Sequence, residues 1–192
     1  GNHDFDIGVD GLVAAFPHAD FEFVSANYAV DGSALEPHVR PWTVREVGGV
    51  RVGIFGLGID FDRLVPAPLH QGVRYTDPVT AARRACGELR EQGCQLVICL
   101  SHLGYRYRDD RVSDTVLAQA VPEIDLILGG HTHTFMDGPD RYPGARETWV
   151  HQVGWGGVRL GRIDVTFGGE GEVMGMVAGG YDVGPAHLDH LG

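Results

Sequence analysis

The sequence lacks several features that would each indicate a particular class of protein. It has only three cysteines, Cys86, Cys94 and Cys99, with no Cys-x-x-Cys pair, so neither a disulfide framework nor a cysteine zinc site is indicated. It contains no apolar run near the roughly 20 residues that span a bilayer. Cationic residues are scarce, since 15 Lys and Arg against 26 Asp and Glu give a formal charge of −11. This balance argues against nucleic acid or an anionic membrane surface as a partner.

The hydrophobic pattern predicts one α/β domain over residues 1–183, followed by a C-terminal tail over 184–192. With 192 residues and 43% hydrophobic residues, the chain is large enough to bury a proper core. Apolar runs separated by helical periodicity favour strand, helix, strand units, and the pattern after residue 148 becomes β. The predicted strands cover 21–25, 41–47, 50–57, 96–101, 126–128, 148–153, 159–167 and 173–178, and the predicted helices cover 6–16, 77–93 and 110–121.

Two of the buried strands are followed directly by histidines. The run from Leu126 to Leu128 leads through two glycines to His131 and His133, and a second apolar run ends at His102. Open α/β sheets bind ligands at the carboxyl ends of their strands, so these imidazoles are expected to converge. Together with Asn2 and His3 near residue 1, they predict a metal site. The alternative for a lone His-x-His is a polar loop beside a core strand.

The donor set indicates which metals would bind. Asparagine and histidine are neutral oxygen and nitrogen donors, and such a set favours Zn, Mn, Fe or Co over calcium, which prefers an all-oxygen shell. The spacing leaves the choice among these metals open.

The ordered motifs Gly1-Asn2-His3-Asp4, Ser25-Ala26-Asn27, Ser101-His102-Leu103-Gly104 and Gly129-Gly130-His131-Thr132-His133 resemble those of the calcineurin-like metallophosphoesterases, in particular the 5'-nucleotidase branch. The resemblance runs from residue 1 to about residue 167. It implies a four-layer α/β/β/α sandwich. The family's upstream Asp-x-His and Gly-Asp motifs are not found, so we expect the N-terminal part of the catalytic domain to be missing.

The resemblance also implies roles for individual residues. Asn2, His102 and His131 would bind one of two divalent metal ions, and His133 would bind the second. His3 would donate a hydrogen bond to the phosphate or its leaving oxygen. Asp6 lies one helical turn later, where it can orient the His3 imidazole or cap the following helix.

The implied activity is hydrolysis of phosphate monoesters, with nucleotides as the substrate class, by attack of a metal-bridging hydroxide. The resemblance leans towards an exported protein, with the nucleobase held by a separate domain or chain. Without the upstream ligands, this chain alone is expected to bind at most one ion and to be inactive. A cyclic phosphodiesterase, a sugar-nucleotide hydrolase and a non-catalytic metal-binding or partner-binding domain stay open as alternatives.

Further residues near the motifs allow two interpretations each. His151 and Gln152 lie on a predicted strand near the site and either support the metal ligands or belong to the core. The run from Tyr105 to Arg108 follows His102 and either leans over a substrate phosphate or forms a solvated loop.

Overall fold

The structure, a computed structural model, describes residues 1–144 and 146–183. The strands are β1 (Phe23–Val24), β2 (Tyr28–Ala29), β3 (Val39–Arg40), β4 (Trp42–Val47), β5 (Val50–Leu57), β6 (Arg74–Tyr75), β7 (Leu96–Ser101), β8 (Leu126–Leu128), β9 (Asp140–Tyr142), β10 (Thr148–His151), β11 (Arg159–Phe167) and β12 (Val173–Asp182). The α-helices are α1 (Gly8–Ala15), α2 (Pro78–Glu91) and α3 (Asp114–Ala120), and 3-10 helices cover Asn2–Phe5, Phe16–His18 and Ala67–His70. In the described part of the chain, no helix combines the length and apolarity needed to cross a membrane.

A six-stranded mixed sheet in the order β4-β5-β7-β8-β10-β9 organises the chain. β5, β7, β8 and β10 run parallel, whereas β4 and β9 are antiparallel edge strands. The predicted hairpin of β4 and β5 is confirmed. Its turn contains Gly48 and Gly49, both at positive φ, as a two-residue hairpin turn of this type requires. This sheet and its helices confirm the predicted α/β class.

Helices α2 and α3 pack on one face of the sheet, and the hydrophobic core lies between them and the sheet. α2 begins where the sequence indicates, because Asp77 Oδ1 accepts a hydrogen bond of 2.7 Å from the Thr80 N–H. Leu89, Leu117 and Ile127 are completely buried in this core. On the opposite face, Leu100 and Leu128 keep 43% and 37% of their surface exposed. This face of β7 and β8 therefore becomes exposed only towards the carboxyl ends of the strands.

The helix predicted from residue 110 begins at Asp114 instead, with Ser113 as its N-cap. The tertiary structure shortens it, because the N–H groups of Asp114 and Thr115 donate to the carbonyl oxygens of Gly104 and Tyr105. The residues before Ser113 thus form a loop that returns to the end of β7.

The helix predicted from Asp6 also begins later, at Gly8. Ile7 occupies its N-cap position, so the alternative of Asp6 as the cap of this helix is wrong. The preceding residues form the 3-10 helix Asn2–Phe5, which ends at Asp6. This short helix carries the Asn2 and His3 motif.

Beside the six-stranded sheet, the described residues form three separate two-stranded sheets, β1-β3, β2-β6 and β11-β12. The strand predicted over 21–25 shrinks to Phe23–Val24, whereas β12 continues past residue 178 to Asp182. The predicted tail over 184–192 lies outside the described residues, so the domain bounds of 1–183 stay a prediction.

Candidate metal centre

Asn2 and His102, from the first and third motifs, meet at the carboxyl edge of the main sheet. Asn2 is buried by its 3-10 helix, and its Oδ1 lies 3.1 Å from Nε2 of His102. His102 directly follows β7, and its backbone N–H donates a 2.8 Å hydrogen bond to the Leu57 carbonyl at the end of β5. Two neighbouring strand ends therefore fix the position of this imidazole.

His131 approaches the same point from the loop after β8. Its ring centroid lies 5.2 Å from that of His102, with an angle of 65° between the ring planes. His131 and His133 both adopt left-handed backbone conformations, with φ of 69° and 53°. Such conformations cost about 1–3 kcal/mol each outside glycine and cluster at functional sites. The surrounding structure must therefore hold this loop in place.

The hydrogen bonds around Gln152 and Thr132 provide that support. The Gln152 side-chain amide donates to the Gly130 carbonyl at 2.7 Å, and its Oε1 accepts from the Thr134 N–H and from the Thr132 hydroxyl, the latter at 3.2 Å. The Tyr105 N–H in turn donates to Thr132 Oγ1 at 2.9 Å. The two histidine-bearing loops are thus tied together through one threonine hydroxyl.

The histidines are electrostatically suited to be neutral ligands. Burial and the nearby His131 lower the pKa of His102. Burial also lowers the pKa of His131, with smaller contributions from His133 and Arg111. A neutral imidazole has a free lone pair, which a metal ion requires. Both side chains can therefore bind a cation at neutral pH without losing a proton.

His133 does not join this group in the same way. Its ring stacks on the exposed Trp155, with 5.9 Å between ring centroids and 22° between planes. Within residues 1–144 and 146–183, no three His, Cys, Asp or Glu side chains form a cluster that could hold a metal. A complete donor set at this edge thus depends on the amide oxygen of Asn2. Asn2, His102 and His131 are close together, and their role as ligands stays a prediction.

His3 and Asp6 form a pair at the protein surface. His3 Nδ1 lies 3.0 Å and 3.2 Å from the two carboxylate oxygens of Asp6, and both side chains are exposed. This contact engages the Nδ1 of the imidazole.

A buried polar pair, which the motifs do not indicate, lies beneath the two loops. The Ser101 hydroxyl donates to Asp114 Oδ1 at 2.5 Å and accepts from the Leu103 N–H at 3.2 Å. Burial raises the pKa of the fully buried Asp114 to about 7, with the Ser101 hydrogen bond acting in the opposite direction. A Cβ added at Gly129 would lie only 2.3 Å from Asp114 Oδ2. Asp114 therefore touches the backbone that leads to His131.

His151 and Gln152 were each expected either to support the metal ligands or to belong to the core. The Gln152 side chain hydrogen bonds to the loop that carries His131, whereas the His151 side chain makes no hydrogen bond to it. Successive side chains of a strand point to opposite faces, so only one of the two can face the loop. His151 contributes its carbonyl oxygen, which accepts from the Gly129 N–H at 2.9 Å. The sequence indicated only that Gln152 lies on a predicted strand; the pairing of β10 with β8, the strand before His131, is a property of the fold.

Asn27, from the second motif, has a structural role. Its buried side-chain amide exchanges two hydrogen bonds of 2.8 Å with the backbone of Gly58, and its carbonyl oxygen accepts from Thr76. It thereby braces the end of β5, whose Leu57 carbonyl holds His102.

No family model matches the chain, but individual proteins do. A snake venom 5'-nucleotidase of Gloydius brevicauda is 31% identical over 142 residues, which cover 71% of this chain and 23% of that protein. The crystal structure of a 5'-nucleotidase precursor from Thermus thermophilus superposes with a TM-score of 0.86 and 30% identity, covering 97% of this chain and 38% of that one. The chain is a relative of the 5'-nucleotidases.

This relationship confirms the predicted resemblance and the fold. The calcineurin-like phosphoesterase YfkN from Bacillus subtilis shares the fold as well, with a TM-score of 0.68, 22% identity and coverage of 95% of this chain and 62% of that one. The chain spans less than a quarter of the length of the Gloydius 5'-nucleotidase that it matches. Relatedness to nucleotide phosphoesterases is thereby established for this portion of the sequence.

Proposed function

We propose that this chain forms part of the active site of a metal-dependent phosphoesterase that hydrolyses phosphate monoesters, with nucleotides as substrates. The observation that carries the proposal is the meeting of Asn2, His102 and His131, which come from three separate segments, at the carboxyl edge of the sheet. The relatedness to proteins named 5'-nucleotidases supports the same conclusion.

The donor chemistry fits one divalent ion of the Zn, Mn, Fe or Co type. Two neutral imidazoles and one amide oxygen bring no negative charge, and borderline metals accept such donors. An ion held there would supply Lewis-acid polarisation of the phosphate ester. A second ion fits less well in the described residues, because His133 contacts Trp155 and contributes one nitrogen only.

The protein residues have separate tasks in this proposal. Asn2 and the two histidines position the ion, and Gln152 and Thr132 hold the loop that carries His131. His3, oriented by Asp6, donates a hydrogen bond to the phosphoryl group or to the leaving oxygen as charge develops there. The exposure of His3 allows a substrate to reach it.

Metal binding and phosphate release test the proposal in two steps. The 192-residue chain is titrated with Mn²⁺ and Zn²⁺ by calorimetry, with elemental analysis of the dialysed protein. We expect one bound ion, which His102→Ala and His131→Ala should each abolish. Absence of any bound ion in the unaltered chain would contradict the proposed site.

Phosphate release is then measured from AMP, with a cyclic nucleotide and a nucleotide sugar as comparison substrates. We expect little turnover from the 192-residue chain, and restored turnover when an Asp-x-His and Gly-Asp segment is placed before Gly1. In that extended form His3→Ala should lower turnover and leave metal content nearly intact. Metal binding without phosphate release in either form would favour the non-catalytic alternative, and preference for the cyclic or sugar nucleotide would change the substrate class.

A further inference from the structure

The loop between His102 and α3 carries a tyrosine that lies against the His131 loop. The Tyr107 hydroxyl donates a 2.6 Å hydrogen bond to the Leu103 carbonyl. A Cβ added at Gly104, where φ is +93°, would lie 2.3 Å from this hydroxyl and 2.8 Å from Thr132 Cγ2. Tyr107 and Thr132 therefore both border Gly104, and Thr132 is the residue between the two histidines of the motif.

Arg111 lies over the ring of Tyr107. Its guanidinium carbon is 4.6 Å from the ring centroid, which is within the range of a cation–π contact. The guanidinium therefore lies on the tyrosine ring whose hydroxyl borders Gly104 and the loop that carries His131.

The ion pair of Arg111 is weak enough to be exchanged. Its partner Asp109 belongs to the same loop, at 3.2 Å, and both side chains are more than half exposed. Exposed pairs of this kind contribute little because water screens them. A dianionic phosphate near a metal ion would compete for the same guanidinium with a larger charge.

The net charge of the chain affects how strongly a phosphate is attracted to this site. The sequence contains no lysine, so every formally cationic side chain is an arginine, and the net charge is −11. The net negative charge of the protein repels an approaching phosphate, and an arginine beside the site therefore offsets part of that repulsion. The planar guanidinium donates two parallel hydrogen bonds to phosphoryl oxygens, which an ammonium group cannot reproduce.

We propose that Arg111, held over Tyr107, recognises the phosphoryl group of a phosphate monoester bound beside His131. The inference rests on the proposed function, since it places the substrate phosphate at the same centre. It places a substrate contact three residues after the run from Tyr105 to Arg108, for which the sequence left open a solvated loop or a phosphate contact.

Calorimetric titration of the 192-residue chain with AMP and with adenosine, in the presence of saturating Mn²⁺, tests the proposal. Arg111→Gln should weaken AMP binding by about 10-fold or more, as expected for loss of a charge-assisted bidentate contact, and leave adenosine binding unchanged. Arg108→Gln is the matched control, because Arg108 is exposed on the same loop. Arg111→Lys should recover part of the affinity, since it keeps the charge and loses the planar geometry.

Metal titration of each variant separates this inference from the proposed function. Unchanged AMP affinity in Arg111→Gln, with normal Mn²⁺ uptake, would refute the role of Arg111 and leave the metal centre standing. Equal affinity of the unaltered chain for AMP and adenosine would refute it too. Loss of Mn²⁺ binding in Arg111→Gln would show that the arginine supports the His131 loop instead, and failure of the unaltered chain to bind Mn²⁺ would overturn both proposals.

Discussion

The side-chain amide of Gln152 donates a 2.7 Å hydrogen bond to the carbonyl oxygen of Gly130, the residue before His131. Gln152 is almost completely buried, so this bond and those from its Oε1 are shielded from water. They stabilise a loop in which both histidines have positive φ. A non-ligand side chain thus maintains the geometry of the candidate metal centre.

Removal of this side chain should weaken metal binding without removing a ligand. We expect Gln152→Ala to lower Mn²⁺ affinity by about 10- to 100-fold, because changes to residues that orient ligands have effects of that size. Gln119→Ala is the matched control, since Gln119 bonds only to the Thr115 carbonyl within α3 among the described contacts. Equal affinities for the two variants in a calorimetric titration would contradict the supporting role of Gln152.

Loss of a ligand should have a larger effect than loss of a buried neighbour. We expect His131→Ala to lower Mn²⁺ affinity far more than His151→Ala, because the His131 ring centroid lies 5.2 Å from that of the second candidate ligand, His102. Both variants remove an imidazole, so the comparison controls for histidine content. The measurement is bound metal per chain after dialysis, and similar retention in both variants would refute the assignment of His131.

Asp114 should make the stability of the protein depend on pH. Its pKa is about 7 in the folded protein, whereas an aspartate in an unfolded chain titrates near about 4. Between these values the folded state retains a proton that the unfolded state releases. The contribution of Asp114 to the free energy of unfolding is therefore complete below about pH 4, declines as pH rises and levels off above about pH 7.

Replacement by the isosteric asparagine removes this titration. Relative to the unaltered chain, Asp114→Asn should be more stable at about pH 8 than at about pH 5, as measured by urea unfolding midpoints. Asp125→Asn should instead destabilise the chain, because the Asp125 carboxylate pairs with Arg90 and Arg146. A stability difference for Asp114→Asn that is independent of pH would show that this carboxyl does not titrate as described.

Gly129 and Gly87 should respond oppositely to replacement by alanine. A Cβ at Gly129 would meet Asp114 Oδ2 at 2.3 Å and Gln152 Nε2 at 3.0 Å, so the variant should lose about 1–3 kcal/mol of unfolding free energy through overpacking. Gly87 lies in α2 with open space around it, and alanine there should add about 0.4–1 kcal/mol. Thermal unfolding of the two variants checks both signs, and equal stability would contradict the tight contact at Gly129.

Local sequence patterns were sufficient to predict the elements whose formation depends on interactions between residues close in the chain. The hairpin around Gly48, the α2 start at Asp77 and the strands before His102 and His131 are where the sequence predicts them. Each rests on a turn, a cap or an apolar run, which act over a few residues. His102, His131 and His133 could be singled out for the same reason, because each follows a predicted strand, whereas the role of Asn2 is implied only by the family resemblance.

The tertiary structure alone decided which of these residues meet and what holds them. The sequence contains both His131 and His133, and only long-range packing turns the first towards His102 and the second onto Trp155. α3 begins at Asp114 and not at residue 110, because the N–H groups of Asp114 and Thr115 donate to the carbonyl oxygens of residues 104 and 105. Support of the His131 loop by Gln152, 21 residues away, depends on the pairing of β8 with β10, which no local pattern encodes.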